Sequence, residues 1–126
     1  MPDDILILEQ PIRPGDLRAL VADGFGDMVK FVVDVERGVV AIGGQLHAEG
    51  EHRLLNEGSS QEDLWGANYF PGRGREGCLE YTSLINIRPA RNNPGMEVED
   101  AGIRERIREL AFRLIGEGQG LDHGPA

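Results

Sequence analysis

Cysteine, lysine and long apolar runs are what this 126-residue chain has least of. Cys78 stands alone, so no intramolecular disulfide can form, and no basic-then-apolar leader precedes the first apolar run. The chain therefore reads as a reduced, cytoplasmic protein. No apolar stretch approaches the ~20 residues that a spanning helix needs, so a soluble chain without a membrane partner is expected. Lys30 is the sole lysine, and positive charge is short overall: 13 Lys plus Arg face 22 Asp plus Glu, a formal charge of −9. That balance disfavours a nucleic-acid or anionic-membrane surface. Missing too are an internal repeat, a G-x-G-x-x-G after the first strand, a G-x-S-x-G around any serine and an H-E-x-x-H. Their absence removes the dinucleotide-binding, serine-hydrolase and zincin signatures.

What is present is a set of short periodic segments. Ile5-Leu6-Ile7-Leu8 is a buried-strand run, and Pro14, Asp16, Leu17, Leu20 and Val21 trace an amphipathic helix that Gly24 stops. Val29, Phe31, Val33 and Val35 alternate as one strand, and Glu36-Arg37-Gly38 turns it into Val39-Val40-Ala41-Ile42 as a three-residue hairpin loop. A helical turn or two is expected from about Glu49 to Glu57, a strand over Leu64 to Phe70 and another over Cys78 to Arg88. The last strand places Asn86 and Arg88 on one sheet face, with Ser83 and Leu84 breaking its alternation. Asp100 caps a final helix whose stripe is Ile103, Ile107, Leu110, Ala111 and Leu114, with Glu109 and Arg113 paired on its outer side. The order β-α-β-β-(α)-β-β-α argues for an α+β fold: a mainly antiparallel sheet of about five strands, built from two hairpins plus an N-terminal strand, with helices mainly on one face. Residues 1–116 form that single domain and 117–126 a flexible tail. Chain length suffices for a core without a structural metal.

The motifs A-I-G-G-Q-L-H-A-E, D-L-W-G-A-N-Y-F-P and S-L-I-N-I-R-P, followed by V-E-D ahead of the last helix, resemble those of the domain of unknown function 5674 family, small prokaryotic proteins. The resemblance runs from the first strand to about Ile115. Within the first motif the acid after Ala48 is Glu49 where the family pattern implies Asp, and the loop Ala90 to Gly95 departs from the pattern. The resemblance implies a coherent fold and no mechanism.

Two clusters carry chemistry. The first is His47, Glu49, Glu51 and His52, directly after an apolar strand and the pair Gly43-Gly44. Imidazole and carboxylate suit a divalent metal such as zinc, nickel, manganese or iron, with His47, Glu49 and Glu51 as ligands and Asp34 or Asp63 as a further one. On extended backbone His47, Glu49 and Glu51 share a face; on a helix His47 and Glu51 stack and His52 turns away. Without a metal, His47 and Glu49 form a catalytic acid/base pair, since imidazole titrates near neutrality. The bland alternative is a solvated helix face with His47 hydrogen-bonded at a strand end.

The second cluster is Asn86, Arg88 and Arg91, in the one net-positive stretch, residues 71–95, with 4 basic against 2 acidic residues. A guanidinium beside amide donors suits an anionic small molecule, and the alternative is Arg88 paired with an acid such as Glu80 or Glu97. The functional expectation is a small-ligand or enzyme-like pocket joining the His47/Glu49 loop to Arg88. Against it stands an assembly module, a homodimer made through edge strands or the Trp65/Tyr69 face. Cys78 reads as a small buried residue.

Overall fold

The computed structural model describes residues 5–121. Its elements are β1 (Ile5–Leu8), α1 (Pro14–Asp23), β2 (Val29–Asp34), β3 (Val39–Gly43), α2 (His47–Asn56), β4 (Leu64–Tyr69), the single turn α3 (Gly74–Gly77), β5 (Leu79–Glu80) and α4 (Ala101–Leu114). The strands form one α+β sheet in the order β1-β3-β2-β4-β5, every neighbouring pair antiparallel.

Alternation decides which way each strand residue faces. Phe31, Val33, Val40, Ile42, Trp65, Ala67 and Tyr69 belong to one core, closed by Leu17 and Val21 of α1 and by Ile107, Leu110, Ala111 and Leu114 of α4. Val32, Ala41 and Leu64 face the other way and are covered by Leu54 of α2. Two of the three long helices thus share one face, and α2 has the other to itself. Gly50 sets how closely α2 lies there: a Cβ built on it would stand 3.2 Å from Val32 Cγ2 and 3.4 Å from Ala41 Cβ. The residue that costs helix propensity, ~1 kcal/mol against alanine, is the one that admits the sheet. Trp65 and Tyr69 are only 2% and 1% exposed. They are core, and the dimer face expected of them does not exist.

The β2–β3 turn takes four residues where three are expected. Asp34 folds over it, its Oδ1 accepting from the N–H groups of Glu36 at 2.9 Å and Arg37 at 2.8 Å, and Val35 leaves the ladder. Gly38 adopts φ 73°, the left-handed conformation the turn requires. In α4, Asp100 Oδ1 caps the N–H of Ile103 at 3.0 Å. The expected Glu109–Arg113 pair is replaced: Glu109 meets Arg106 at 3.4 Å, and Arg113 donates to the carbonyl of Gly38 at 3.3 Å.

The strand expected over Cys78 to Arg88 is the main departure. Its ladder with β4 holds only Asn68↔Glu80 and Tyr69↔Leu79, and tight turns follow at Leu84–Asn86 and Pro89–Arg91. Ser83 starts the first of them by accepting the Ile85 N–H at 3.2 Å, and Pro89 has no N–H for a ladder. A side chain pairs the edge of β4 instead. Asn86 Oδ1 accepts from Gly66 N–H at 2.9 Å while its Nδ2 donates to Gly66 C=O at 3.0 Å, the exchange a strand peptide would make. Asn93 braces this strap by donating to the carbonyls of Asn86 at 2.8 Å and Glu97 at 2.9 Å. Beyond α4, Gly118 donates to Tyr69 Oη at 2.9 Å. Of the tail expected over 117–126, residues 122–126 lie outside the described residues.

Candidate functional site

Gly43 and Gly44, at φ 112° and 87°, turn the chain from β3 into α2, whose first residue is His47. The helix sorts the first cluster. Glu49 curls back so that its Oε1 accepts the N–H groups of Gln45 at 2.8 Å and Leu46 at 3.2 Å, donors a helix start leaves free. A Cβ on Gly44 would stand 2.8 Å from that oxygen. Glu49, expected as a catalytic and metal-binding group, is a helix cap. His52 is exposed, accepting from Asn56 Nδ2 at 3.3 Å. His47 and Glu51, one turn apart, both turn inward. Asp34 sits in the hairpin turn at the far end of β2, and among the described residues no three His, Cys, Asp or Glu side chains converge as metal ligands would.

His47 is 7% exposed, with Nε2 2.8 Å from the carbonyl oxygen of Ala67. A carbonyl only accepts, so Nε2 carries the proton and Nδ1 is the acceptor of the neutral ring. Burial holds the imidazole down at about 4; the Ala67 carbonyl opposes this, the Lys30 charge adds to it, and Asn68 opposes it. Lys30 and Asn68 are register partners across β2 and β4, so they stand side by side on the α2 face. Asn68 is buried with its side chain beside the His47 ring, and its Oδ1 has no well-formed hydrogen bond among the described residues. Gly66 lets everything close: a Cβ there would meet Ser83 Cβ at 2.7 Å and His47 Cδ2 at 3.1 Å. The result is a hollow of about 350 Å³ with Lys30, His47, Asn68, Thr82 and Ser83 in its wall and Leu46, Leu84, Ile85 and Met96 around them. Another hollow of about 250 Å³, beside α1, is lined by Leu6, Phe25 and the exposed carboxylates of Asp16 and Asp23, with no buried titratable group.

The second cluster comes apart. Asn86 is fully buried, and its amide is consumed by Gly66 and Met96; it holds the strap and has nothing left for a ligand. Asn86 and Arg88 do not share a sheet face, because the strand ends before them. Arg88 lies over the indole of Trp65, 4.7 Å from the ring centre, with Nη2 3.8 Å from Glu51 Oε2. Its acid is therefore Glu51, not Glu80 or Glu97; Glu97 is taken by Thr82 at 3.2 Å and Arg104 at 2.9 Å. Arg91 is exposed and reaches Glu62, 3.2 Å to its carbonyl and 3.5 Å to its carboxylate. Arg88 thus lies in an adjoining hollow, separated from that of His47 by the shared walls Leu84 and Ile85.

Residues 6–114 match the family described as Protein of unknown function (DUF5674). The chain belongs to this family. No curated protein and no solved structure matches the chain. In this DUF5674 member the three motifs of the resemblance meet at one place: G-G-Q-L-H-A carries His47, W-G-A-N carries Gly66 and Asn68, and S-L-I-N carries Ser83 and Asn86. Lys30 was the residue that sequence reasoning missed. Its signal was a lone lysine at a core-facing parity beside Val32, but its neighbour Asn68 follows only from the β2–β4 register. Among the described residues no helix is long and apolar enough to cross a membrane.

Proposed function

We propose that the chain binds a small organic molecule in the hollow beside the first turn of α2. Its ligand carries a carboxylate or carbonyl next to a hydroxyl or amide donor, on a short apolar body. The observation behind this reading is a neutral, buried imidazole beside the chain's only lysine and an amide oxygen that has no well-formed hydrogen bond among the described residues, in a wall completed by two hydroxyls and by apolar side chains. Such sites combine apolar lining with a few convergent polar groups. Lys30 receives the anionic or carbonyl oxygen, while Nδ1 of His47 and Oδ1 of Asn68 accept from the neighbouring donor. An imidazole held near 4 is a weak base at neutral pH, which favours recognition over proton abstraction.

The test is amide-resolved NMR titration with short-chain 2-hydroxy acids beside their deoxy counterparts. Saturable shifts at Leu46–Ala48, Gly66–Asn68 and Thr82–Ile85 are expected, weakened about tenfold or more by Lys30→Met, the worth of one charge-assisted hydrogen bond. Titrations without saturation, or shifts confined elsewhere, refute the reading. A second reading, a homodimer closing over the same rim, draws on Leu46 and Leu84, which are 60% and 70% exposed. A strict monomer by light scattering removes it.

A further inference from the structure

The hollow beyond Leu84 and Ile85 has a chemistry of its own. It measures about 460 Å³ and has Arg88, Glu51, Gln61 and Arg91 in its wall. Arg88 is pinned by one face to Trp65, so its N–H groups point outward around the rim of the guanidinium plane. Nη1 and Nη2 are both buried, and neither has a hydrogen-bond partner among the described residues. The nearest carboxylate, Glu51, stands 3.8 Å from Nη2, beyond hydrogen-bonding reach, and its Oε2 takes the amide of Gln61 at 3.3 Å instead. Buried polar groups in folded proteins find partners, because a bare one forfeits its hydration with nothing in return, and a charge forfeits most.

The backbone keeps Arg88 where it is. Its N–H donates to the carbonyl of Asn93 at 2.6 Å, the Asn93 N–H returns the bond at 3.0 Å, and the Asn93 side chain is fixed to Asn86 and Glu97. A guanidinium clamped at its backbone and on one face, with its donor edge unsatisfied, is a preorganised anchor for an oxyanion. Arg91 lies in the same wall with its partner Glu62 at 3.5 Å, so their charges offset each other and Arg88 is left as the anion-binding group, while Ile85 and Ile87 offer apolar contact.

We infer that this hollow is a second binding site, separate from that of His47, in which the open donor edge of Arg88 takes the carboxylate or phosphate group of a small molecule and Glu51, already bonded to Gln61, competes with it only through its charge.

Trp65 is the only tryptophan, so its emission and its single indole N–H resonance report on the guanidinium above it. The full chain is titrated with succinate and, separately, with inorganic phosphate, at constant ionic strength. A saturable Trp65 response is expected, at least threefold tighter in Glu51→Gln, where no carboxylate competes. It should be tenfold or more weaker in Arg88→Lys, which replaces a fork by a point charge, and absent in Arg88→Met. A response to succinate alone assigns a carboxylate ligand, and one to phosphate alone a phosphate ester. No saturable response to either anion in Glu51→Gln, or one that survives in Arg88→Met, overturns the site. Where Arg88→Met fails to fold, Glu51→Gln decides by itself: affinity equal to or weaker than that of the unaltered chain overturns the site. A ligand of the first hollow shifts the residues around His47 and leaves the Trp65 indole unmoved, so the two readings fail separately.

Discussion

His47 gives the fold a pH dependence whose size can be worked out. In the unfolded chain the imidazole titrates at its ordinary 6.5; in the folded chain burial holds it at about 4. Between those values the unfolded state binds a proton that the folded state refuses, so stability is full above about 6.5 and falls as pH drops toward 4. At about 1.4 kcal/mol per pH unit the whole gap comes to ~3 kcal/mol, and about 2 kcal/mol of it falls between pH 7 and 4.5. A carboxylate shifted upward has the opposite effect on stability. Asp63, pushed up by desolvation and by the carboxylates of Asp34, Glu62 and Glu36, works in the opposite direction. The measurement is therefore a difference: urea unfolding of the unaltered chain and of His47→Gln, which keeps an N–H for the Ala67 carbonyl and cannot titrate. The unaltered chain should lose about 2 kcal/mol relative to the variant over that range, and its His47 ring resonances should titrate below pH 5. Parallel stability curves, or a ring midpoint near 6.5, refute the buried neutral imidazole and the acceptor role of its Nδ1.

Two further outcomes test the packing behind the site. Gly66→Ala drives a methyl to within 2.7 Å of Ser83 Cβ and 3.1 Å of His47 Cδ2, an overpacking worth ~1–3 kcal/mol in the unfolding midpoint. Ser83→Gly in that background should restore part of it, and a neutral Gly66→Ala removes the packing argument. Asn86→Ala strips partners from both polar groups of Gly66 and from the Met96 carbonyl, a loss of ~2–4 kcal/mol by thermal unfolding. Asn86→Asp should be no better, since it sets a carboxylate oxygen against the Gly66 carbonyl; an Asp variant of unaltered stability contradicts the amide pairing.

The legible parts of the fold are those whose causes lie close in sequence. The β2–β3 hairpin needs alternating valines and one left-handed residue at Gly38, and α4 needs a stripe and the cap Asp100; both signals are local. The segment after Cys78 reads as a strand in sequence and yet pairs only through Leu79 and Glu80, because period two is a necessary but not a sufficient sign of a strand. Ser83 and Leu84 already broke the alternation there, and Pro89 removed a donor, but the decisive competitor was the Asn86 amide bonding to Gly66, twenty residues away on another strand. The same distance hid Lys30 and Asn68 as neighbours, since they are joined by register and by no motif.

The His47 to His52 cluster looks like a ligand set because its residue types are right and close together, yet proximity along a helix disperses side chains around it at 100° per residue. His47 and Glu51 turn inward into two different hollows, Glu49 bends back to the helix start, and His52 meets solvent. Gly50, in the middle, lies on the inner face, where a Cβ would press on Val32 Cγ2 at 3.2 Å and touch Ala41 at 3.4 Å. The glycine that weakens the helix in sequence terms thus shares the buried face with His47 and Leu54. One turn of helix presents an imidazole to one hollow and a carboxylate to the next, which is why His47, Glu49 and Glu51 do not converge as metal ligands would.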